Sequence, residues 1–244
     1  MSDAVRLGVS ALAVLALIGP APAPDTIPAS GGPITIAPLY HATLQLRHAG
    51  RVVDVDPVAQ ADFGGLPSPD IILVTDIHGD HLDPATIAKI RKQDTRLVAP
   101  AAVAAQVHGA LVMANGETKT VDGISIEAVP MYNLTRGPAP GKLYHDKGRG
   151  NGYILTLGGK RIYIAGDTEC TPEMKAFRNI DVAFVPMNLP FTMPPSEAAA
   201  CVKAFKPKIV YPYHYKGQNL DEFASALKGT GIEVRIRDWY GSSR

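Results

Sequence analysis

A layered α/β protein, with helices outside two packed sheets, is what this sequence predicts. Three observations carry the expectation. Strand-like runs come first and then alternate with helical stretches, and this happens in each half of the chain. Beyond an N-terminal leader, no linker, low-complexity tract or short-period repeat divides those runs. The composition, 46% hydrophobic and 19% charged over 244 residues, suits one domain over residues 34–244.

Strands are expected at 43–46, 51–55, 71–75 and 124–129, then at 153–157, 161–165, 182–185, 209–213 and 233–236. These runs are rich in β-branched and aromatic residues, which fit a pleated, half-buried surface. Gly50 and Gly123 mark turns, and Gly158-Gly159 reads as a hairpin between two strands. Helices are expected at 84–92, 101–107, 196–205 and 221–227. Asp83-Pro84 reads as an N-cap followed by proline at the first helical position, and Ser196 as the cap of a later helix.

The formal net charge is +1, and no basic stripe or aromatic–cation interleaving is present. Nucleic acid is therefore not an expected partner, because nothing would neutralise its phosphates or stack its bases. Cys170 and Cys201 form no CxxC pair, so a cysteine zinc site is not expected; one disulfide and two buried thiols are both compatible with their spacing. Arg6 precedes an apolar run over residues 7–18, and a Pro/Ala-rich stretch follows over 20–28. Residues 1–30 read as a signal peptide and leader, since a spanning helix needs roughly 20 apolar residues. Ala21-Pro22-Ala23 has the form of a cleavage site. The expected location is periplasmic or secreted, with no stable membrane span after cleavage; an uncleaved N-terminal anchor is the alternative.

Seven histidines are present, and some are distinguished by their setting. The apolar run Ile71-Ile72-Leu73-Val74-Thr75 leads directly into Asp76, His78, Asp80 and His81, with Gly79 available for a tight turn. Ile162-Tyr163-Ile164-Ala165-Gly166 delivers Asp167 at the end of another strand, and Ile209-Val210-Tyr211-Pro212-Tyr213 delivers His214 at the end of a third. Buried strands from distant pieces of chain, each ending in a metal-capable residue, describe a centre built at strand ends. Imidazole and carboxylate donors together suit zinc, manganese or iron.

Asp76–His81 resembles the HxHxDH signature of metallo-β-lactamase-fold hydrolases, with Gly166-Asp167-Thr168 as the bridging aspartate and His214 as the terminal histidine. The likeness runs from about Tyr40 to Tyr240. His41-Ala42-Thr43 and Val55-Asp56-Pro57 are similar to the branch containing ascorbate-6-phosphate lactonase and N-acyl phosphatidylethanolamine phospholipase D. The resemblance implies a four-layer αββα sandwich in one domain and two metal ions, zinc first, with manganese or iron as alternatives. It implies His78 at the first metal, Asp80, His81 and His214 at the second, and Asp167 between them. His145 is assigned as the remaining histidine of the first metal, with Tyr132-Asn133 where some relatives carry it. Asp80 would also move the proton of the attacking water. His41, Asp56, Asn133 and Lys216 are expected to support ligands or meet substrate.

Such a site implies hydrolysis of a lactone, ester, amide or phosphodiester bond in a small molecule. Alternatives are a non-haem iron oxidoreductase of the same fold and a non-catalytic metal-binding relative. The departure from the signature is Asp76, which stands where histidine is usual. Aspartate also ligates zinc through oxygen, at roughly 2.0–2.2 Å. Its extra negative charge is expected to make metal-bound water less acidic and to favour harder ions such as manganese.

Overall fold

Two seven-stranded sheets organise the computed structural model, which describes residues 25–241. In the first sheet β1 (Asp25–Ile27), β2 (Ile34–Tyr40), β3 (Thr43–His48), β4 (Arg51–Val55), β5 (Ile71–Leu73), β6 (Arg96–Ala99) and β7 (Ala110–Val112) lie side by side in chain order. Pairing is antiparallel from β1 to β4 and parallel from β4 to β7. Helices α1 (Pro84–Ile90) and α2 (Ala101–Ala104) make the last two crossovers.

The second sheet repeats this scheme with β8 (Thr118–Val121), β9 (Ile124–Met131), β10 (Gly150–Leu157), β11 (Lys160–Ile164), β12 (Val182–Pro186), β13 (Ile209–Tyr213) and β14 (Glu233–Val234). It too begins antiparallel and becomes parallel from β11 onward. Helices α3 (Pro172–Ala176), α4 (Pro195–Phe205) and α5 (Leu220–Leu227) connect its parallel strands.

Three apolar cores define four layers. Leu44, Leu46, Val53 and Val55 meet Ile126, Ile162, Ile164 and Phe184 between the sheets. Ile72 and Leu97 face the other way and pack on Ile87 and Val103 of α1 and α2. Ile154, Ala183 and Val185 likewise pack on Met174, Val202 and Phe223 of α3, α4 and α5. Strands buried on both faces have no polar side, which is why 71–75 reads as a continuous apolar run. The fold is the αββα sandwich, in one domain. No helix among the described residues is long and apolar enough to cross a membrane.

Several expectations need correction. Residues 25–27, placed in the leader by their Pro/Ala-rich context, form β1 and pair with β2, so the sheet begins at Asp25; residues 1–24 lie outside the described residues. Ser196 does not cap α4: the helix starts at Pro195, with Pro194 at the N-cap and no side-chain cap bond. Two prolines fix the entry geometry one residue earlier. Asp83 does cap α1, accepting from the backbone N–H groups of Ala85 and Thr86. Cys170 and Cys201 are joined in a disulfide.

Candidate metal centre

The site forms where parallel strands end, at the carboxyl edge that open α/β sheets use for ligands. β4 runs out at Asp56, whose backbone is left-handed (φ 46°). The buried Asp56 carboxylate accepts the Thr75 backbone N–H and the Thr75 hydroxyl, both at 2.7 Å, and meets His81 Nδ1 at 2.8 Å. That anchors the segment after β5 and turns His81 Nε2 towards Asp167. Gly79 lies in the tight turn foreseen there, closed by the His81 N–H to the His78 carbonyl at 3.0 Å, but the turn does not require glycine. Its φ is not positive and a Cβ would have open space. Gly166 is the position with a steric demand: its φ is +65°, and a Cβ would collide with the Met131 side chain.

Asp167 lies at the centre, buried, with Oδ2 3.3 Å from His81 Nε2 and 3.1 Å from His145 Nε2, and Oδ1 3.2 Å from His214 Nε2. On one side Asp76, His78 and His145 converge, with His78 Nδ1 2.9 Å from Asp76 Oδ2. On the other side His81 and His214 converge with Asp167, and Asp80 lies beside them, with Oδ2 3.3 Å from His214 Nε2 and Oδ1 3.9 Å from His81 Nε2. All seven sequence-predicted ligand residues are thus brought together. His214 also sits at a left-handed backbone (φ 48°), strain of the kind that accumulates where side-chain direction matters.

The supporting residues are equally specific. Asn133 Oδ1 accepts the His145 backbone N–H at 2.9 Å and meets Nδ1 at 2.6 Å, so the ring presents Nε2 to Asp167. The Asn133 amide is held in turn by Glu169 Oε1 and the Phe191 carbonyl. Tyr240 accepts the Tyr215 backbone N–H at 3.1 Å and donates to His41 Nδ1 at 2.6 Å. That leaves His41 Nε2–H to donate to Asp80 Oδ2 at 3.2 Å. His41 therefore acts on Asp80, and Asn133 acts on His145. The sequence reading assigned no role to Glu169, Thr75 or Tyr240 and did not pair Arg149 with Asp76. Glu169, two residues after Asp167, and Thr75, directly before Asp76, had a local signal.

Burial disfavours the charge on His81, but Asp167 and Asp56 outweigh it and hold the imidazole well above the usual histidine range. Burial also works against ionisation of Asp80, yet the His214 ring, 3.3 Å away, and the hydrogen bond from His41 hold its carboxyl far below the usual range. Asp76 is kept at about 2 by His78, His81 and Arg149 against the same burial cost. Asp76 thus carries the negative charge expected of it, and Arg149 stands against that charge. Arg149 Nε and Nη2 donate to its two oxygens at 3.2 and 3.0 Å.

Whether these residues suit cations can be tested on the polar atoms they leave over. His81 Nε2, His145 Nε2, both His214 ring nitrogens and Asp167 Oδ1 are buried with no hydrogen-bond partner. Such atoms are costly to bury unless something coordinates them. The donor set fits divalent metal ions. A cavity of about 220 Å³ reaches His78, His145, Asp167 and His214, with Tyr144 and Phe191 as its apolar wall. A second, of about 320 Å³, joins His41 and Asp80 to Lys216 and Asn188. A third, of about 630 Å³ and lined by Asp54, Phe63 and Lys89, shares no residue with the ligand groups.

Fold and site together define a hydrolase of the metallo-β-lactamase class. The chain matches the β-lactamase superfamily domain over residues 35–214, and it belongs to that superfamily. A UPF0173 metal-dependent hydrolase from Thermococcus kodakarensis is 33% identical over 218 residues, covering 81% of this chain and 93% of the relative. A crystal structure from Parabacteroides distasonis, described as that of a metal-dependent hydrolase, superposes with a TM-score of 0.83 at 46% identity. It covers 88% of this chain and 97% of its own. CmlA, a diiron β-hydroxylase from Streptomyces venezuelae, superposes at 0.66 with 18% identity over 90% of this chain and 54% of its own; that likeness shows the fold.

Proposed function

We propose that this metal-dependent hydrolase uses two divalent cations, zinc in the first place, to cleave a lactone, ester, amide or phosphodiester bond in a small molecule. The observation that carries the reading is the set of buried, unpartnered imidazole and carboxylate atoms around Asp167. Asp76, His78 and His145 would hold one ion and Asp80, His81 and His214 the other, with Asp167 shared. Cations bound there would supply a water acidic enough to attack at neutral pH and a Lewis acid for the electrophile.

The chain's own groups divide the remaining work. Asp80 is ionised, its side chain is 44% exposed, and His41 and His214 fix its direction. It is placed to take a proton from the attacking water and pass it to the leaving group. Tyr144 and Phe191, packed edge-to-face with centroids 5.0 Å apart, offer a wall for an apolar part of the substrate. Leu134 and Leu189, on the same two loops, are also exposed. Lys216 supplies a cation across the cavity for an anionic group.

The test is turnover of ester, lactone and bis-phosphodiester reporters before and after chelation. Activity lost with the metal and regained with zinc is the expected result. Unchanged turnover by metal-free protein, or metal uptake without turnover of any reporter, would overturn the reading. We further propose an exported location, supported by the apolar run over 7–18 and by the Cys170–Cys201 disulfide. A cut after Ala23 would leave β1 intact. N-terminal sequencing of protein from fractionated cells checks this, and an intact Met1 in the cytosolic fraction contradicts it.

A further inference from the structure

The histidine signature is broken at Asp76, and the structure places a second, compensating departure beside it. Arg149 approaches from the segment leading into β10, where the Asn151 backbone N–H donates to Thr75 O at 2.9 Å and holds the two stretches side by side. A side chain at Gly150 would press on that same Thr75 carbonyl. So fixed, Arg149 reaches the fully buried Asp76 with both arms of its guanidinium, Nε to Oδ1 and Nη2 to Oδ2. A carboxylate has about four lone-pair sites, and this fork takes one on each oxygen. Oδ2 keeps a further acceptor position on the side of His78 Nδ1, 2.9 Å away, and His145 Nε2, 3.9 Å away. Carboxylate and guanidinium together carry no net charge, as a neutral histidine would at the same place.

We propose that Asp76 and Arg149 act as one unit replacing a histidine in the Asp76–His78–His145 half of the centre. Arg149 is a positioning residue: it aims the carboxylate and cancels its charge. The pairing rests on the reading of this site as a divalent-cation centre. It also implies that the two positions change together, since a histidine at 76 would leave the guanidinium unpaired beside a cation.

The experiment is zinc titration against a competing chelator, on metal-stripped wild-type protein, Asp76→His, Arg149→Met and the double variant, with circular dichroism to verify the fold. The wild type is expected to take up about two equivalents. Asp76→His weakens the second equivalent by at least about tenfold, the scale of support around metal ligands. Adding Arg149→Met to Asp76→His recovers most of that loss. Arg149→Lys, which keeps the charge without the fork, also weakens the second equivalent by about tenfold and serves if Asp76→His misfolds. Wild-type affinity in Asp76→His or in Arg149→Lys overturns the pairing, as does a folded double variant no better than Asp76→His. No uptake by the wild type would overturn the metal-centre reading and the pairing with it.

Discussion

At the scale of single residues, His81 and His145 are set by hydrogen bonds made on the far side of the ring. Asn133 holds Nδ1 of His145, and Asp56 with Thr75 holds Nδ1 of His81. Asn133→Ala should therefore lower zinc affinity by about 10- to 100-fold while leaving the fold intact, checked by chelator competition and circular dichroism. Tyr240→Phe removes the donor to His41 and loosens Asp80; kcat should fall about tenfold with zinc content unchanged. The ligands themselves were legible in sequence because strand ends deliver them one after another. Their partners were not. Arg149 reaches Asp76 across 73 residues and Tyr240 reaches His41 across 199, and only the folded chain decides such meetings. Asp76 was read as surplus charge for the same reason, since its counter-ion has no local signature.

At the scale of elements, β3 to β5, β9 to β13 and α1, with its Asp83 cap, were legible, because period and capping chemistry are local. The short edge strands β1, β7 and β8 were not, being three or four residues long and partly exposed, and inside the first sheet β2, which contains Pro38, and the four-residue β6 were missed as well. β4 carries one element-level anomaly. Burial pushes the Asp54 carboxyl up to about 7, and the Gln45 amide, donating to Oδ1 at 2.8 Å, only partly offsets it. Its folded value is above the unfolded one, so its contribution is fully present below about pH 4 and is lost as pH rises through 7. The linkage amounts to roughly 4 kcal/mol. Asp54→Asn should thus raise stability at pH 8 far more than at pH 4.5, read from denaturant melts at both. The disulfide ties the segment after Asp167 to α4 across 31 residues. Cys170→Ser with Cys201→Ser should cost about 3–4 kcal/mol in the same melts.

For the molecule as a whole, two sheets with the same antiparallel-then-parallel plan bring the ends of their parallel strands to one edge. Asp76 and His81 come from one sheet and Asp167 and His214 from the other, so the centre spans the seam between them. Ligands on both sheets also mean that cations should stabilise the whole sandwich. Zinc at 100 times its dissociation constant should add about 2.7 kcal/mol per site, seen as a concentration-dependent rise in melting temperature. The most direct test of the central claim is an anomalous difference map, at the zinc edge, of crystals grown with zinc. The account predicts one peak within about 2.0–2.2 Å of donor atoms of His81, Asp167 and His214, and a second among Asp76, His78 and His145. A zinc-saturated crystal with no peak against Asp167 would contradict it.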